Sequence, residues 1–148
     1  MKFIEFITKK SIYVDVEADS QKNVFKILGN LFAKKNSILS SKIIDNLNER
    51  ERLGSTSVGN GVAIPHTKVK DINKTQVIFL KLSHAVDFSA SDNKPVDLIF
   101  SIVTPESTQS EHLLVLSSIS SFLREKKNIE DLRKLKSIEE IYSMFSKY

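Results

Sequence analysis

A mixed β-sheet flanked by helices, an α/β fold of the α+β kind, is the architecture this sequence predicts. Three observations carry it. Val24, Phe25, Ile27, Leu28, Leu31 and Phe32 recur at helical spacing, the period that gives a helix one broad apolar face. Residues 76–82 and 96–103 are short, strongly apolar runs rich in β-branched and aromatic side chains, as buried strands are. A polar turn over residues 89–95 lies between those two runs, so they can pair antiparallel.

The remaining elements follow in order. Residues 3–7 can form a first helical turn, and residues 12–16 alternate like a short strand. Asp19 or Ser20 offers an N-cap to the first long helix, which Asn36 closes. A second helix runs from Ser40 to about Arg52, with Ile43, Ile44 and Leu47 inside. After the strands, Thr104 and Pro105 end the sheet region. Thr108 and Glu111 have the spacing of a capping box, opening a helix with Leu113, Leu114, Leu116, Ile119, Phe122 and Leu123 on its apolar side. Asn128 can cap a short helix, and Ser137 with Glu140 forms a second box ahead of Ile141, Met144 and Phe145. No repeat or linker interrupts the chain, which reads as a single domain over residues 1–148.

Composition excludes several classes of function. The 148 residues are 41% hydrophobic and 27% charged, a globular balance and not a disordered one. There is no cysteine, hence no disulfide framework, thiolate zinc site or cysteine nucleophile. No apolar run reaches the length of a membrane span, and the N-terminal segment carries Glu5 within its apolar part, unlike a signal peptide. A soluble, cytoplasmic protein is expected. The net charge of +4 is spread over lysines with acids between them, so the basic stripe that nucleic acid requires is missing. No nucleotide-binding or dinucleotide-binding glycine motif occurs, and no cofactor is implied.

The functional signal lies in residues 51–68. Gly59, Asn60 and Gly61 make a G-N-G turn, since glycine and asparagine reach positive φ at little cost. Val62, Ala63 and Ile64 form an apolar run too short for a helix. Pro65 then holds Ile64 extended, and His66 follows at once. Two of the chain's four glycines therefore fall just ahead of one imidazole, as for a reactive side chain set by its backbone. Around Gly59–Gly61 the amides can also contribute to an anion nest.

The longer string G-S-T-S-V-G-N-G-V-A-I-P-H resembles the active-site signature of the enzyme IIA components of the bacterial phosphotransferase system, in the fructose/mannitol (type-2) class. It looks most like the free-standing nitrogen-related branch, as does the string Phe88, Asp92, Asn93, Pro95, Val96, Asp97, Leu98, Phe100. The resemblance implies a mixed sheet covered by helices. It also implies that His66 is the phosphorylated nucleophile, since it ends A-I-P-H. The match departs at Thr67, where the family usually has glycine.

Two further residues take roles from the resemblance. His112 falls in the first turn of the helix after Pro105, where free N–H groups favour an anion. The segment S-E-H-L-L-V-L-S-S is similar to the one carrying the family's second active-site histidine, which would stabilise the phosphate. Arg50 lies sixteen residues before His66, the spacing of the family's functional arginine, and guanidinium binds phosphate through a planar fork. His84 has no counterpart and reads as a surface residue. The three histidines show no short ligand spacing, which argues against zinc. Asp92 and Asp97 are better suited to turn and strand-end hydrogen bonding than to acid–base work.

The expected activity is a phosphoryl relay. A phosphohistidine carrier of the HPr or NPr type would donate to His66, and the phosphorylation state would regulate target proteins. The alternative is a sugar-specific enzyme IIA passing the phosphoryl group to a IIB domain.

Overall fold

Two long strands, β5 (Gln76–Val86) and β6 (Val96–Pro105), pair antiparallel at the centre of the sheet, Phe79 opposite Phe100 and Leu80 opposite Ile99. The computed structural model describes residues 1–148 except for the side chain of Gln109. β1 (Ile12–Val16) adds parallel to β5. On the other side of β6 lies a short antiparallel hairpin, β2 (Ser57–Gly59) with β3 (Val62–Ala63), whose second strand runs parallel to β6. β4 (His66–Val69) continues along the same edge of β6. The sheet is mixed, in the order β1-β5-β6-β3-β2.

The strand alternation sorts side chains into two cores. Val77, Phe79, Leu98, Phe100 and Ile102 point to one face, and Ile78, Leu80, Ile99 and Val103 point to the other. The second face is covered by α1 (Gln21–Asn36) and α2 (Ser40–Arg52) through Val24, Phe25, Leu28, Phe32, Ile43 and Leu47. The first is covered by α3 (Gln109–Arg124), α4 (Lys126–Lys134) and α5 (Ile138–Lys147), through residues such as Val115, Ile119, Phe122, Leu132 and Phe145. Both faces buried is why the central strands read as continuous apolar runs.

Several local expectations meet their element directly. Ser20 is the N-cap of α1, its Oγ accepting from the Asn23 N–H at 3.1 Å. Ser137 caps α5 in the same way through the Glu140 N–H, and its hydroxyl also reaches the Glu140 carboxylate. Others are overridden by tertiary partners. Thr108 sits at the N-cap of α3 but makes no capping bond; its hydroxyl donates to the Pro105 carbonyl, and Glu111 accepts from Thr75 instead. Asn128 lies inside α4 and donates to the Phe122 carbonyl, serving the end of the preceding helix. Leu113 and Leu114, expected inside, are 54% and 48% exposed. α3 is rotated so that His112 and Val115 face the sheet.

Candidate active site

The Val62–Val69 segment tracks one edge of β6 in a single register, Ala63 opposite Ile99 and His66 opposite Ile102. Pro65 interrupts it, having no N–H to give. Its carbonyl is nevertheless doubly held, accepting from Ile102 N at 3.0 Å and from the buried Ser101 hydroxyl at 2.9 Å. The backbone on either side of the imidazole is thereby fixed to the central strand. Thr67 is ordinary extended strand opposite Val103, a conformation open to any residue, so glycine is not required there.

The G-N-G turn has φ of 89°, 57° and 76° at Gly59, Asn60 and Gly61. It holds an anion, but the anion is the protein's own. The Asn60 N–H donates to the Asp92 carboxylate at 3.0 Å, and Arg133 donates to the Asn60 carbonyl while pairing with Asp97. A side chain at Gly61 would run into the Arg133 guanidinium. Asp92 and Asp97 thus serve the turn and the strand end, as their sequence context suggests.

Within this frame His66, His112 and Arg50 come together. His66 Nδ1 lies 2.7 Å from the Ile64 carbonyl oxygen. That oxygen can only accept, so Nδ1 carries the proton and Nε2 carries the lone pair. The Arg50 Nε lies 3.4 Å from His66 Nε2, and its Nη1 donates to the Gly54 carbonyl at 3.0 Å. The His112 ring centre is 5.3 Å from that of His66. His112 is 8% exposed, with Nδ1 2.8 Å from the Thr104 hydroxyl. β4 is an edge strand, so α2 and α3, from opposite faces of the sheet, can both reach the imidazole.

The electrostatics favour neutral rings. Burial pushes the His66 pKa below its ordinary value; Arg50 adds to this, while the bond to Ile64 and the charge of Glu51 oppose it. His112 is lowered to about 4, first by burial and then by His66, Lys68 and Arg50. A neutral imidazole with a bare Nε2 is a nucleophile at physiological pH, and an adjacent guanidinium suits an incoming anion.

His84 is exposed on β5, seven residues beyond Val77. At the rise of a strand it lies roughly 20 Å from the end of β5 that neighbours the imidazole pair. Among the described residues no group of three His, Cys, Asp or Glu side chains is placed to hold a metal. Two participants had no sequence signal. Thr104 meets His112 only because β6 runs into α3, and Ile64 acts through its carbonyl, which no side-chain pattern reports.

The family model of the phosphoenolpyruvate-dependent sugar phosphotransferase system, EIIA 2, matches residues 5–148. The chain belongs to this family. Members of the EIIA type-2 family act in phosphoryl transfer, and this one is like the nitrogen-regulatory branch. It is 35% identical to a nitrogen regulatory protein of Klebsiella oxytoca over 132 residues, 88% of this chain and 82% of that protein. The crystal structure of Nitrogen Regulatory Protein IIA-Ntr from Neisseria meningitidis superimposes with a TM-score of 0.91 at 34% identity, covering 96% of this chain and 97% of that one. Enzyme IIAMTL of Escherichia coli, solved in complex with phosphorylated enzyme IIBMTL, shares the fold with a TM-score of 0.82 at 20% identity, over 97% and 100% of the two chains.

Proposed function

We propose that this EIIA type-2 chain accepts a phosphoryl group from a phosphohistidine carrier of the HPr or NPr type onto Nε2 of His66, and that its phosphorylation state regulates target proteins. The observation that carries the reading is the His66 Nδ1–H held on the Ile64 carbonyl, which leaves Nε2 bare beside Arg50. Residues 1–148 act as one domain, meeting the carrier in the cytoplasm; among the described residues no helix is long and apolar enough to cross a membrane.

In the transfer, the His66 Nε2 lone pair forms the new N–P bond as the carrier's N–P bond breaks and its imidazole leaves with that electron pair. The Nδ1 proton stays in place, its bond to Ile64 O offsetting the positive charge that develops on the ring. Arg50 exchanges its contact with Nε2 for the phosphoryl oxygens. His112, with Nδ1 accepting from the Thr104 hydroxyl, presents an Nε2–H to another oxygen. Such fixed donors are the main resource of an enzyme in phosphoryl transfer. Leu53, Leu113 and Leu114, exposed beside Arg50 and His112 in sequence, offer apolar area for a protein donor.

Likeness to nitrogen regulatory proteins over most of the chain supports regulation. The family's place in a sugar phosphotransferase system keeps a second reading, onward transfer to a IIB domain. Reconstitution with phosphoenolpyruvate, the first enzyme of the system and its phosphocarrier tests the proposal by intact mass. One acid-labile phosphoryl group is expected, absent from His66→Ala; full phosphorylation of that variant would overturn it. Onward transfer from the phosphorylated chain to a fructose- or mannitol-type IIB domain would decide for the second reading.

A further inference from the structure

The Glu51 carboxylate joins α2 both to the start of α1 and to the segment that leads into the G-N-G turn. Glu51 follows Arg50 in the last turn of α2. Its Oε1 accepts from the Thr56 hydroxyl at 2.8 Å, and its Oε2 accepts from the Thr56 N–H at 3.1 Å and from Gln21 Nε2 at 2.9 Å. Thr56 is buried. Its carbonyl accepts from the Ile64 N–H at 2.9 Å, and the Ile64 carbonyl accepts from His66 Nδ1 at 2.7 Å. The two ends of this chain are the neighbour of Arg50 and the ring of His66.

Resting on the reading of His66 as the phosphoryl acceptor, we propose that Glu51 is a positioning residue: through Thr56 and Ile64 it holds His66 in the Nδ1–H form and in register with Arg50. The physical ground is threefold. A carboxylate gripping both the N–H and the hydroxyl of Thr56 fixes that residue's orientation, and hence the direction of its carbonyl. Because the Thr56 carbonyl accepts from the Ile64 N–H, that orientation is passed on to residue 64, whose carbonyl accepts from His66 Nδ1. Because Glu51 is adjacent to Arg50 on a helix, the same grip sets the distance between α2 and the segment that carries His66. The role is geometric, so a glutamine, whose amide oxygen can accept from the Thr56 N–H and whose NH2 can donate to the Thr56 hydroxyl, fulfils it.

The test compares wild type with Glu51→Gln, Glu51→Ala and Glu51→Asp, the last a carboxylate one methylene too short. Imidazole ¹⁵N NMR of the unphosphorylated protein reads the tautomer of His66, and single-turnover transfer from the phosphocarrier reads the rate. Wild type and Glu51→Gln should show the Nδ1–H form and comparable rates. Glu51→Ala and Glu51→Asp should show a measurable Nε2–H population and a rate lower by on the order of tenfold, short of the roughly hundredfold that outright misplacement can cost. Glu51→Asp decides the matter if Glu51→Ala does not fold. A folded Glu51→Ala or Glu51→Asp with the wild-type tautomer and rate overturns the proposal. So does Glu51→Gln as impaired as Glu51→Ala, since charge and not geometry would then be at work. The tautomer measurement needs no phosphoryl donor: wild-type protein that accepts no phosphoryl group strikes the reading of His66, whereas an unmoved tautomer strikes only Glu51.

Discussion

Arg50 Nε and His66 Nε2 face each other at 3.4 Å, a donor against the one ring nitrogen that has no proton. The guanidinium is simultaneously anchored on the Gly54 carbonyl, so two of its donors work from one rigid plane. Lysine has the charge but cannot reproduce that fork. Arg50→Lys should therefore resemble Arg50→Ala, both transferring phosphate at least about tenfold more slowly than wild type, a loss in keeping with removal of one preorganised donor. Rates of the three proteins at low and high salt check this. A close contact in a partly shielded site should change little with salt, whereas a steering effect weakens. Arg50→Lys at the wild-type rate in both salts would remove Arg50 from the site.

His112 is tied to Thr104 by a single 2.8 Å contact inside the fold. His112→Ala should be phosphorylated up to about a hundredfold more slowly, the usual scale for losing a donor to a transferring group. Thr104→Val keeps the shape and removes the hydroxyl, leaving the His112 Nδ1 buried without its partner. It should slow transfer less than His112→Ala, and cost roughly 1–3 kcal/mol of stability. Single-turnover rates and urea unfolding measure the two effects; an unchanged rate in His112→Ala confines His112 to a structural role.

The depressed pKa of His112 has a consequence for stability. In the unfolded chain this histidine titrates near 6.5, and in the folded protein at about 4. Between those values the unfolded state binds more protons, so stability rises with pH across that window. The contribution is complete above about pH 6.5 and is lost progressively as pH falls towards 4. Urea midpoints at pH 7 and pH 5 should differ more for wild type than for His112→Gln. Equal differences would show that the ring is not held neutral by its surroundings.

Leu113 and Leu114 stand half exposed beside the buried His112. Leu114→Lys should leave the melting temperature nearly unchanged, since surface changes usually stay within about 0.5 kcal/mol. It should raise the carrier concentration needed for half-maximal transfer while sparing the rate at saturation. A lowered saturating rate with unchanged half-saturation would place Leu114 in the chemistry and not in docking.

Much of this protein was determined by its sequence alone. The spacing from Val24 to Phe32 encodes one apolar face at the helical period, and Ser20 and Ser137 cap their own helices because the amides they satisfy lie three residues away. The apolar runs of β5 and β6 require burial on both faces, which already implies helices above and below the sheet. The G-N-G-V-A-I-P-H string marks His66 because its turn and its extended approach are encoded by local backbone preferences.

The tertiary structure decided what depends on partners distant in the chain. Residues 66–69, His-Thr-Lys-Val, have no strand pattern of their own and become β4 only by pairing with β6. Glu111 has the spacing to close a capping box, yet it turns to Thr75, thirty-six residues away. Which leucines of α3 are buried depends on how that helix is rotated against the sheet, and here the rotation turns His112 inward. The tautomer of His66 is decided by a backbone carbonyl, and its pairing with Arg50 by the packing of α2 against the edge of the sheet. Local preferences are short-range steric terms that the sequence carries with it; hydrogen-bond partners and dielectric surroundings exist only once both faces of the sheet have closed.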